Sequence, residues 1–94
     1  MQFELPIEPI PNQFFTTSLN GVTWSITLET RLDNLYISLS NSNDGVVLLN
    51  RICLDRTYLG FGFVFVDIDG KNDPTFDMLG TRYLLIWDDS ITNT

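Results

Sequence analysis

The chain has 94 residues, of which 44% are apolar and 18% are charged, a composition unlike that of the charge-rich, apolar-poor segments that stay disordered. Five basic and twelve acidic residues give a net charge of −7, which disfavours direct nucleic-acid binding because phosphate backbones are recognised by clustered lysine and arginine. Histidine is absent and cysteine occurs once. The usual catalytic pairs and an intrachain disulfide are therefore excluded, and we predict no enzymatic activity and no cofactor.

Residues 1–12 are predicted to form an extended, proline-containing arm. Pro6, Pro9 and Pro11 fix φ and remove backbone donors, so this segment cannot form a helix or a central strand. Such an arm either clips onto its own sheet or reaches another subunit, and we expect the rest of the chain to fold without it. The predicted interface consists of apolar residues of the arm and of the strand that follows: Leu5, Ile7, Ile10, Pro11, Phe14 and Phe15.

Three Asx-Gly pairs predict tight turns: Asn20-Gly21, Asp44-Gly45 and Asp69-Gly70. Asparagine or aspartate followed by glycine accepts the positive φ angles of two-residue hairpin turns. The sequence around these pairs alternates apolar and polar residues, as half-buried strands do. We therefore expect strand–turn–strand units at all three places.

The alternation places one strand from Gln13 onward and five more along the chain. These five are predicted over residues 22–29, 35–40, 46–49, 60–67 and 82–87. The alternation is lost between Val46 and Leu49, so that strand either has both faces covered or ends in a bulge before Arg51. In the strand over 60–67, Phe61, Phe63 and Phe65 are expected to share a face.

The predicted fold class is all-β. With no segment of helical periodicity, we expect a small, single-domain antiparallel β barrel or two-sheet sandwich of about six or seven strands over residues 1–94. Asp88 to Thr94 is predicted to be a polar tail. The start of the chain lacks the basic and apolar runs of a secretion signal, and no run is long enough to span a bilayer, so we predict no membrane insertion.

Asp67–Asp73 is dense in carboxylate and amide oxygens, which are the ligands that calcium prefers. An EF-hand loop, however, needs glycine at its sixth position and glutamate at its twelfth, whereas Gly70 comes fourth and Met78 stands twelfth. We therefore interpret the segment as a strand end with a turn and predict no metal site. A hydrolase that uses Asp67 and Asp69 as paired carboxylates is a distant alternative.

Three other reactive side chains have ordinary structural interpretations. Cys53 lies among apolar neighbours and is predicted to be a buried thiol. Lys71 is predicted to be an ordinary charged amine in a turn. Arg82 is predicted to pair with Asp77 or Asp67 at the start of a strand.

Twelve of the 94 residues are aromatic, more than so small a core can hold. The surplus predicts an exposed apolar patch, and such patches usually mark association surfaces. An alternative function is a stand-alone carbohydrate- or peptide-binding module, in which an exposed Trp24, Tyr36 or Trp87 would form a stacking platform.

Short motifs follow one another in a definite order over nearly the whole chain. They are Leu5-Pro6-Ile7, Pro11-Asn12-Gln13-Phe14, Leu19-Asn20-Gly21-Val22-Thr23-Trp24, Asn43-Asp44-Gly45, Leu48-Leu49-Asn50-Arg51, Phe65-Val66-Asp67, Pro74, Leu79-Gly80-Thr81-Arg82 and Leu84-Leu85-Ile86-Trp87. In this order the chain resembles the small baseplate plug family of contractile-tailed bacteriophages. Cys53–Leu59 and Trp87 depart from the family's pattern.

The resemblance implies a non-enzymatic virion protein that plugs or caps the tip of the tail tube until contraction. It also implies partners among other baseplate proteins (hub, tube, spike or wedge), a homo-oligomer within the tail, and assembly in the host cytoplasm. An acidic surface suits a subunit that does not hold the DNA that later passes.

Overall fold

The computed structural model describes residues 2–88, which form eight β-strands and one 3₁₀ turn over Phe76–Met78. The strands are β1 (Gln2–Glu4), β2 (Gln13–Leu19), β3 (Val22–Arg31), β4 (Asn34–Asn41), β5 (Gly45–Ile52), β6 (Tyr58–Gly60), β7 (Phe63–Asp67) and β8 (Tyr83–Asp88). Most of the predicted polar tail, residues 89–94, lies outside the described residues. Over residues 2–88 no helix has the length and apolar character needed to cross a membrane.

Two four-stranded antiparallel sheets make up the fold, which confirms the all-β prediction. The meander sheet has the strand order β2-β3-β4-β5, and the terminal sheet, which contains the first and last strands, has the order β1-β8-β7-β6. Buried side chains from both sheets form one hydrophobic core, as in a β sandwich. The most deeply buried large side chains include Ile26, Leu28, Ile37, Leu39, Phe63, Phe65 and Leu85.

Two-residue turns connect the first three strands of the meander sheet. Asn20 and Gly21 have φ angles of 53° and 82° and join β2 to β3, which confirms the first predicted turn. Leu32 and Asp33 join β3 to β4 with φ angles of 49° and 67°. This second turn contains no glycine, and a leucine with positive φ is rare enough that the sequence does not predict it.

The turn between β4 and β5 is held by a side chain. The Oδ1 atom of Asn41 accepts hydrogen bonds from the backbone N–H groups of Asn43 (2.9 Å) and Asp44 (2.6 Å). Gly45 then begins β5 with a φ of 74°. The predicted turn at Asp44-Gly45 is therefore confirmed, with Asn41 supplying the acceptor that closes it.

β5 leaves the regular ladder with β4. Leu39 pairs with Leu48 while Ile37 pairs with Arg51, so β5 carries an extra residue between those pairs. Asn50 has a φ of 52° at this place. Of the two alternatives for the lost alternation, the bulge before Arg51 is the one observed.

The prediction of one strand over residues 60–67 is wrong. β6 ends at Gly60, and a tight turn at Phe61 and Gly62, with φ angles of 57° and 94°, reverses the chain into β7. Phe63 and Phe65 are buried, as predicted, but Phe61 sits in the turn and is 40% exposed. Glycine on both sides of Phe61 supplies the backbone freedom that this reversal needs.

The predicted hairpin turn at Asp69-Gly70 is also wrong. β7 and β8 are connected by the long loop of residues 68–82, which contains the 3₁₀ turn. The side chain of Asp67 accepts hydrogen bonds from the backbone N–H groups of Asp69 and Asn72. A side-chain acceptor placed here competes with hairpin hydrogen bonds and turns the chain away from the sheet.

The arm begins as an edge strand of the terminal sheet. Phe3 pairs with Trp87 in the β1–β8 ladder, and their rings lie 6.0 Å apart. The backbone N–H of Leu5 donates to the carbonyl of Leu85 at 2.8 Å. The arm therefore clips onto its own sheet, which is one of the two alternatives left open by the sequence.

Beyond Leu5 the arm packs against the loop that precedes β8. Leu5 and Ile7 are 3% and 8% exposed and belong to the core. Gly80, with a φ of 85°, lies so close that a Cβ atom there would be 2.7 Å from the carbonyl oxygen of Ile7. The position requires glycine for both its φ angle and its space.

Candidate docking surface

The central strand pairs of the two sheets place side chains of opposite chemistry outward, although exposed Phe14 and Val46 flank the polar pairs of the meander sheet. On the meander sheet, β3 and β4 pair small hydroxyl side chains across the strands, and we call this set the hydroxyl face: Ser25 with Ser40 and Thr27 with Ser38. On the terminal sheet, β7 and β8 pair aliphatic side chains in the same way: Val64 with Ile86 and Val66 with Leu84. An antiparallel sheet with one solvated face normally alternates apolar and polar residues, and the central pair of the terminal sheet departs from this pattern.

The aliphatic pairs and Ile68, which follows β7, form what we call the apolar face: Val64, Val66, Ile68, Leu84 and Ile86. Ile68 is 59% exposed, and the four paired residues are half-buried by their neighbours. The face is concave. A depression of about 340 Å³ is lined by Gln2, Val64, Val66, Ile68, Leu84, Ile86 and Asp88.

The rim of the apolar face is acidic. Glu4 pairs with Ile86 in the β1–β8 ladder, so both side chains project from the same side of the sheet. Asp88 lines the depression, and Asp69 follows Ile68 in sequence. None of the five basic residues belongs to a strand of the terminal sheet. They are Arg31, Arg51, Arg56, Lys71 and Arg82.

A buried ion pair holds the end of β7 to the start of β8. Arg82 donates through Nε to Oδ1 of Asp67 at 2.8 Å and through a terminal nitrogen to Oδ2 at 2.9 Å. Each Asp67 oxygen also accepts one backbone N–H, from Asp69 or from Asn72, at 2.9 Å. The predicted pairing of Arg82 is therefore confirmed, with Asp67 and not Asp77 as its partner.

The same contacts set the charge state of Asp67. The side-chain hydrogen bonds from Arg82 hold the pKa of Asp67 well below its usual range, against the desolvation that acts in the opposite direction. Because each oxygen accepts two hydrogen bonds, four in all, this carboxylate is fully engaged in holding the loop. In the described range no group of three or more His, Cys, Asp or Glu side chains is placed to hold a metal ion.

A second set of contacts fixes the loop after β7 to the segment before β6. The Oδ1 atom of Asp55 accepts the backbone N–H of Asp67 at 2.8 Å, and the backbone N–H of Asp55 donates to Oδ1 of Asp73 at 2.9 Å. Arg56 donates to the carbonyl oxygens of Gly70 and Asp67. Asp67 therefore works as a structural anchor for one end of the apolar face.

The structure separates the residues of the predicted interface. Leu5 and Ile7 are buried in the core of the same chain, and Phe15 packs partly buried against that core. Ile10 is 39% exposed, Pro11 is exposed and Phe14 is 66% exposed. These last three remain accessible for contact with another subunit, and the first three hold the arm and β2 in place.

The aromatic residues are divided between the core and the surface, but neither tryptophan is exposed. Trp24 and Trp87 are 6% and 5% exposed, so the expectation of a tryptophan stacking platform is wrong. The indole N–H of Trp87 donates to the carbonyl of Phe61 at 3.1 Å. Tyr36 is half-buried with the guanidinium of Arg31 5.6 Å from its ring centroid.

The remaining reactive side chains show no catalytic arrangement. Cys53 is buried, and burial raises the pKa of its thiol far above the usual value. Lys71 is exposed in the loop after β7. The prediction of a buried structural thiol at Cys53 is confirmed.

Sequence reasoning looked for an exposed patch among the aromatic residues and missed the aliphatic one. The signal is present in the sequence, because β7 and β8 carry apolar residues at consecutive positions instead of alternate ones. Continuous apolar runs indicate strands covered on both faces. Here the inner face is covered by the core, whereas within residues 2–88 the outer face is only partly covered.

One family model, described as "Cyanophage baseplate Pam3 plug gp18", matches residues 2–90 of the chain. The match covers nearly the whole sequence, including both sheets and the arm. No curated protein matches the chain.

Proposed function

Because the chain belongs to the cyanophage baseplate plug family, we propose that it closes the tip of the phage tail tube and bridges the hub and tube subunits there. Family membership makes the chain a structural component of the baseplate, carried in the tail of the virion and in contact with other baseplate proteins. The proposal adds where in the baseplate the chain lies and which of its surfaces hold it there.

The apolar face is the observation that carries the proposal. A monomer in solution would leave two aliphatic cross-strand pairs of a central strand pair in water, and contiguous apolar patches of this kind usually mark association surfaces. A plug must be gripped by the subunits around it. A rigid sheet face held at one end by the Asp67–Arg82 pair offers such a grip.

The exposed part of the predicted interface supplies a second contact. Ile10, Pro11 and Phe14 lie on the arm and β2, away from the strands of the terminal sheet. We assign them to contact with neighbouring subunits, including further copies of this chain. This surface and the apolar face together would let one plug subunit touch two neighbours.

The net charge of −7 fits a channel through which DNA passes, because an acidic surface repels phosphate. We assign no reaction to the chain, since its most buried carboxylate serves the Asp67–Arg82 pair and its thiol is buried. Assembly would take place in the host cytoplasm, where the other tail proteins are made.

Cryo-electron microscopy of tails made with and without this chain tests the proposal. We expect particles without the chain to lack density at the tip of the tail tube, and the purified chain, added back, to restore it. A matched add-back of a Phe14→Ser variant separates the contact made by the arm side from the contact made by the apolar face. Density for the chain elsewhere in the particle, or an unchanged tube tip in its absence, would contradict the proposed position.

A further inference from the structure

We infer that the apolar face docks onto a different protein whose contact surface has an apolar centre and a rim of lysine or arginine, and not onto a second copy of this chain. The inference rests on the proposed function, because it describes the partner that would hold the plug. It adds the chemistry of that partner, which neither the family nor the fold supplies.

The apolar centre of the partner follows from the centre of the face. Val64, Val66, Leu84 and Ile86 form two adjacent cross-strand pairs with no polar side chain between them. The equivalent pairs of the other sheet are the hydroxyl face, so a central antiparallel pair in this fold can place polar side chains outward. A partner that replaces water at the apolar face must itself be apolar there.

The basic rim follows from the charges around the face. Glu4 stands beside Ile86 on the exposed side of the sheet, Asp88 lines the depression, and Asp69 follows Ile68. The basic side chain nearest the face in sequence is Arg82, which pairs with Asp67. At the Ile68 end, Asp69 lies beside Arg82, and Lys71 is exposed in the same loop. The negative charge is therefore concentrated along β1 and β8, at Glu4 and Asp88, and a complementary partner presents positive charge at that edge of the contact.

The same charges exclude a second copy as the occupant. Two copies joined through this face would be related by a two-fold axis, and an isologous contact brings the same patch of each subunit together. The acidic rims would then face each other, and like charges placed across an interface oppose association. Contacts between copies are left to the arm side, where Phe14 is exposed.

Rebinding of the chain to tails made without it tests the inference. The probe is the particle itself, and the measured quantity is the apparent Kd of labelled chain at 50 and 500 mM salt. Val64→Thr with Val66→Thr keeps the shape of both residues and makes them polar; Glu4→Gln with Asp69→Asn removes two rim charges without touching the core. Asn43→Ser, in the exposed turn between β4 and β5, is the control.

For the unaltered chain we expect the Kd to rise at least tenfold between the two salt concentrations. The threonine pair should weaken binding at least tenfold at both concentrations. The rim pair should weaken binding several-fold at low salt and reduce the salt dependence, and the control should bind like the unaltered chain. If thermal unfolding shows that the variant with the two threonines is not properly folded, the variant with the two rim substitutions still decides the test.

The outcomes separate the inference from the proposed function. If the unaltered chain does not bind the tube tip, both are overturned. If it binds and both variant pairs bind equally well at both salt concentrations, the inference alone is overturned. Sedimentation of the chain alone gives a further test, because a dimer that the threonine pair abolishes would identify a second copy as the occupant.

Discussion

The central strand pairs of the two sheets are alike in backbone and opposite in outward chemistry. β3 and β4 turn serine and threonine outward, and β7 and β8 turn valine, leucine and isoleucine outward, although both pairs are antiparallel and both bury large apolar residues on the inner side. The fold does not require apolar outward side chains on a central strand pair, since β3 and β4 carry serine and threonine there. The apolar outward residues of the meander sheet, such as Phe14 and Val46, lie on its outer strands β2 and β5. The difference between the faces therefore concerns what lies outside the domain.

The two sheets also differ in how they are closed. The meander sheet consists of strands that follow one another, joined by short turns. The terminal sheet places β8 between β1 and β7, carries the long loop of residues 68–82, and depends on the ion pair of Asp67 and Arg82. The sheet with the docking face is thus the one that needs more long-range contacts to hold its shape.

The largest expected effect comes from truncating the two buried side chains that hold the arm against the terminal sheet. Leu5→Ala with Ile7→Ala removes two buried side chains, and at about 2–5 kcal/mol for each we expect a loss of about 5 kcal/mol, near the whole stability of a small domain. Urea unfolding measures it. Ile10→Ala, on the exposed side of the arm, should change the free energy of unfolding by less than about 0.5 kcal/mol.

This result would also correct the expectation that the chain folds without residues 1–12. If the variant with alanine at both positions unfolds at the same urea concentration as the unaltered chain, the arm is not part of the core. The burial of both side chains in the core makes that outcome unexpected.

The next prediction sharpens the distinction between the inner and outer faces of one strand. Phe65→Ala opens a cavity in the core and should cost about 3–5 kcal/mol. Val66→Ala, one residue along and on the opposite face, should cost about 1 kcal/mol. Equal losses in chemical unfolding would mean that the outer face contributes to stability as the core does, and that it is not reserved for a partner.

Asp67→Asn tests the anchor of the apolar face and carries a pH dependence. Because Arg82 lowers the pKa of Asp67 in the folded state, the pair stabilises the fold at pH values above about 3.9, the ordinary aspartate value. That contribution is lost as the pH falls below this value. We expect the variant to melt at a lower temperature than the unaltered chain at pH 7.

The two melting temperatures should approach each other as the pH is lowered from about 4 to 2.5. Asp69→Asn removes an equal charge from the same loop without breaking the ion pair and serves as the control for net charge. A difference in melting temperature that stays constant over this pH range would argue against an ionised Asp67 as the anchor.

The smallest effect on stability is expected when the hydroxyl face of the meander sheet is made apolar, like the outer face of the terminal sheet. Ser25→Val with Ser40→Val gives the meander sheet an apolar outer pair, and valine suits strands, so the free energy of unfolding should change by less than about 1 kcal/mol. Binding of the dye ANS should nevertheless rise, because a new exposed apolar patch has been made. Unchanged ANS fluorescence would show that outward aliphatic pairs in this fold do not bind apolar ligands.

The meander sheet could be predicted from its sequence because its information is local. The alternation over β3 and the Asn20-Gly21 pair each specify their own structure, and both are found as expected. The turns at Leu32 and at Phe61 could not be predicted in this way. Each places a bulky residue at positive φ, a conformation that neighbouring strands impose and that local preference opposes.

The candidate site was less predictable because it depends on long-range contacts. Asp69-Gly70 has the sequence of a hairpin turn, but the side chain of Asp67 captures the local N–H groups, and Arg82 from the far end of the loop completes the arrangement. The burial of Leu5 and Ile7 likewise depends on β8. The apolar face was visible in the sequence as two continuous apolar runs, yet only their pairing shows that they form one surface.

The pairing of β1 with β8 has a consequence for how the chain is made. Gln2 and Asp88 are 86 positions apart and meet in the same ladder. Since synthesis runs from the N-terminus to the C-terminus, β1 stays without its partner strand until β8 has been synthesised, whereas the hairpins of β2 to β5 can form as they emerge. The terminal sheet therefore cannot be completed before β8 emerges, and a product truncated before β8 would lack the docking face.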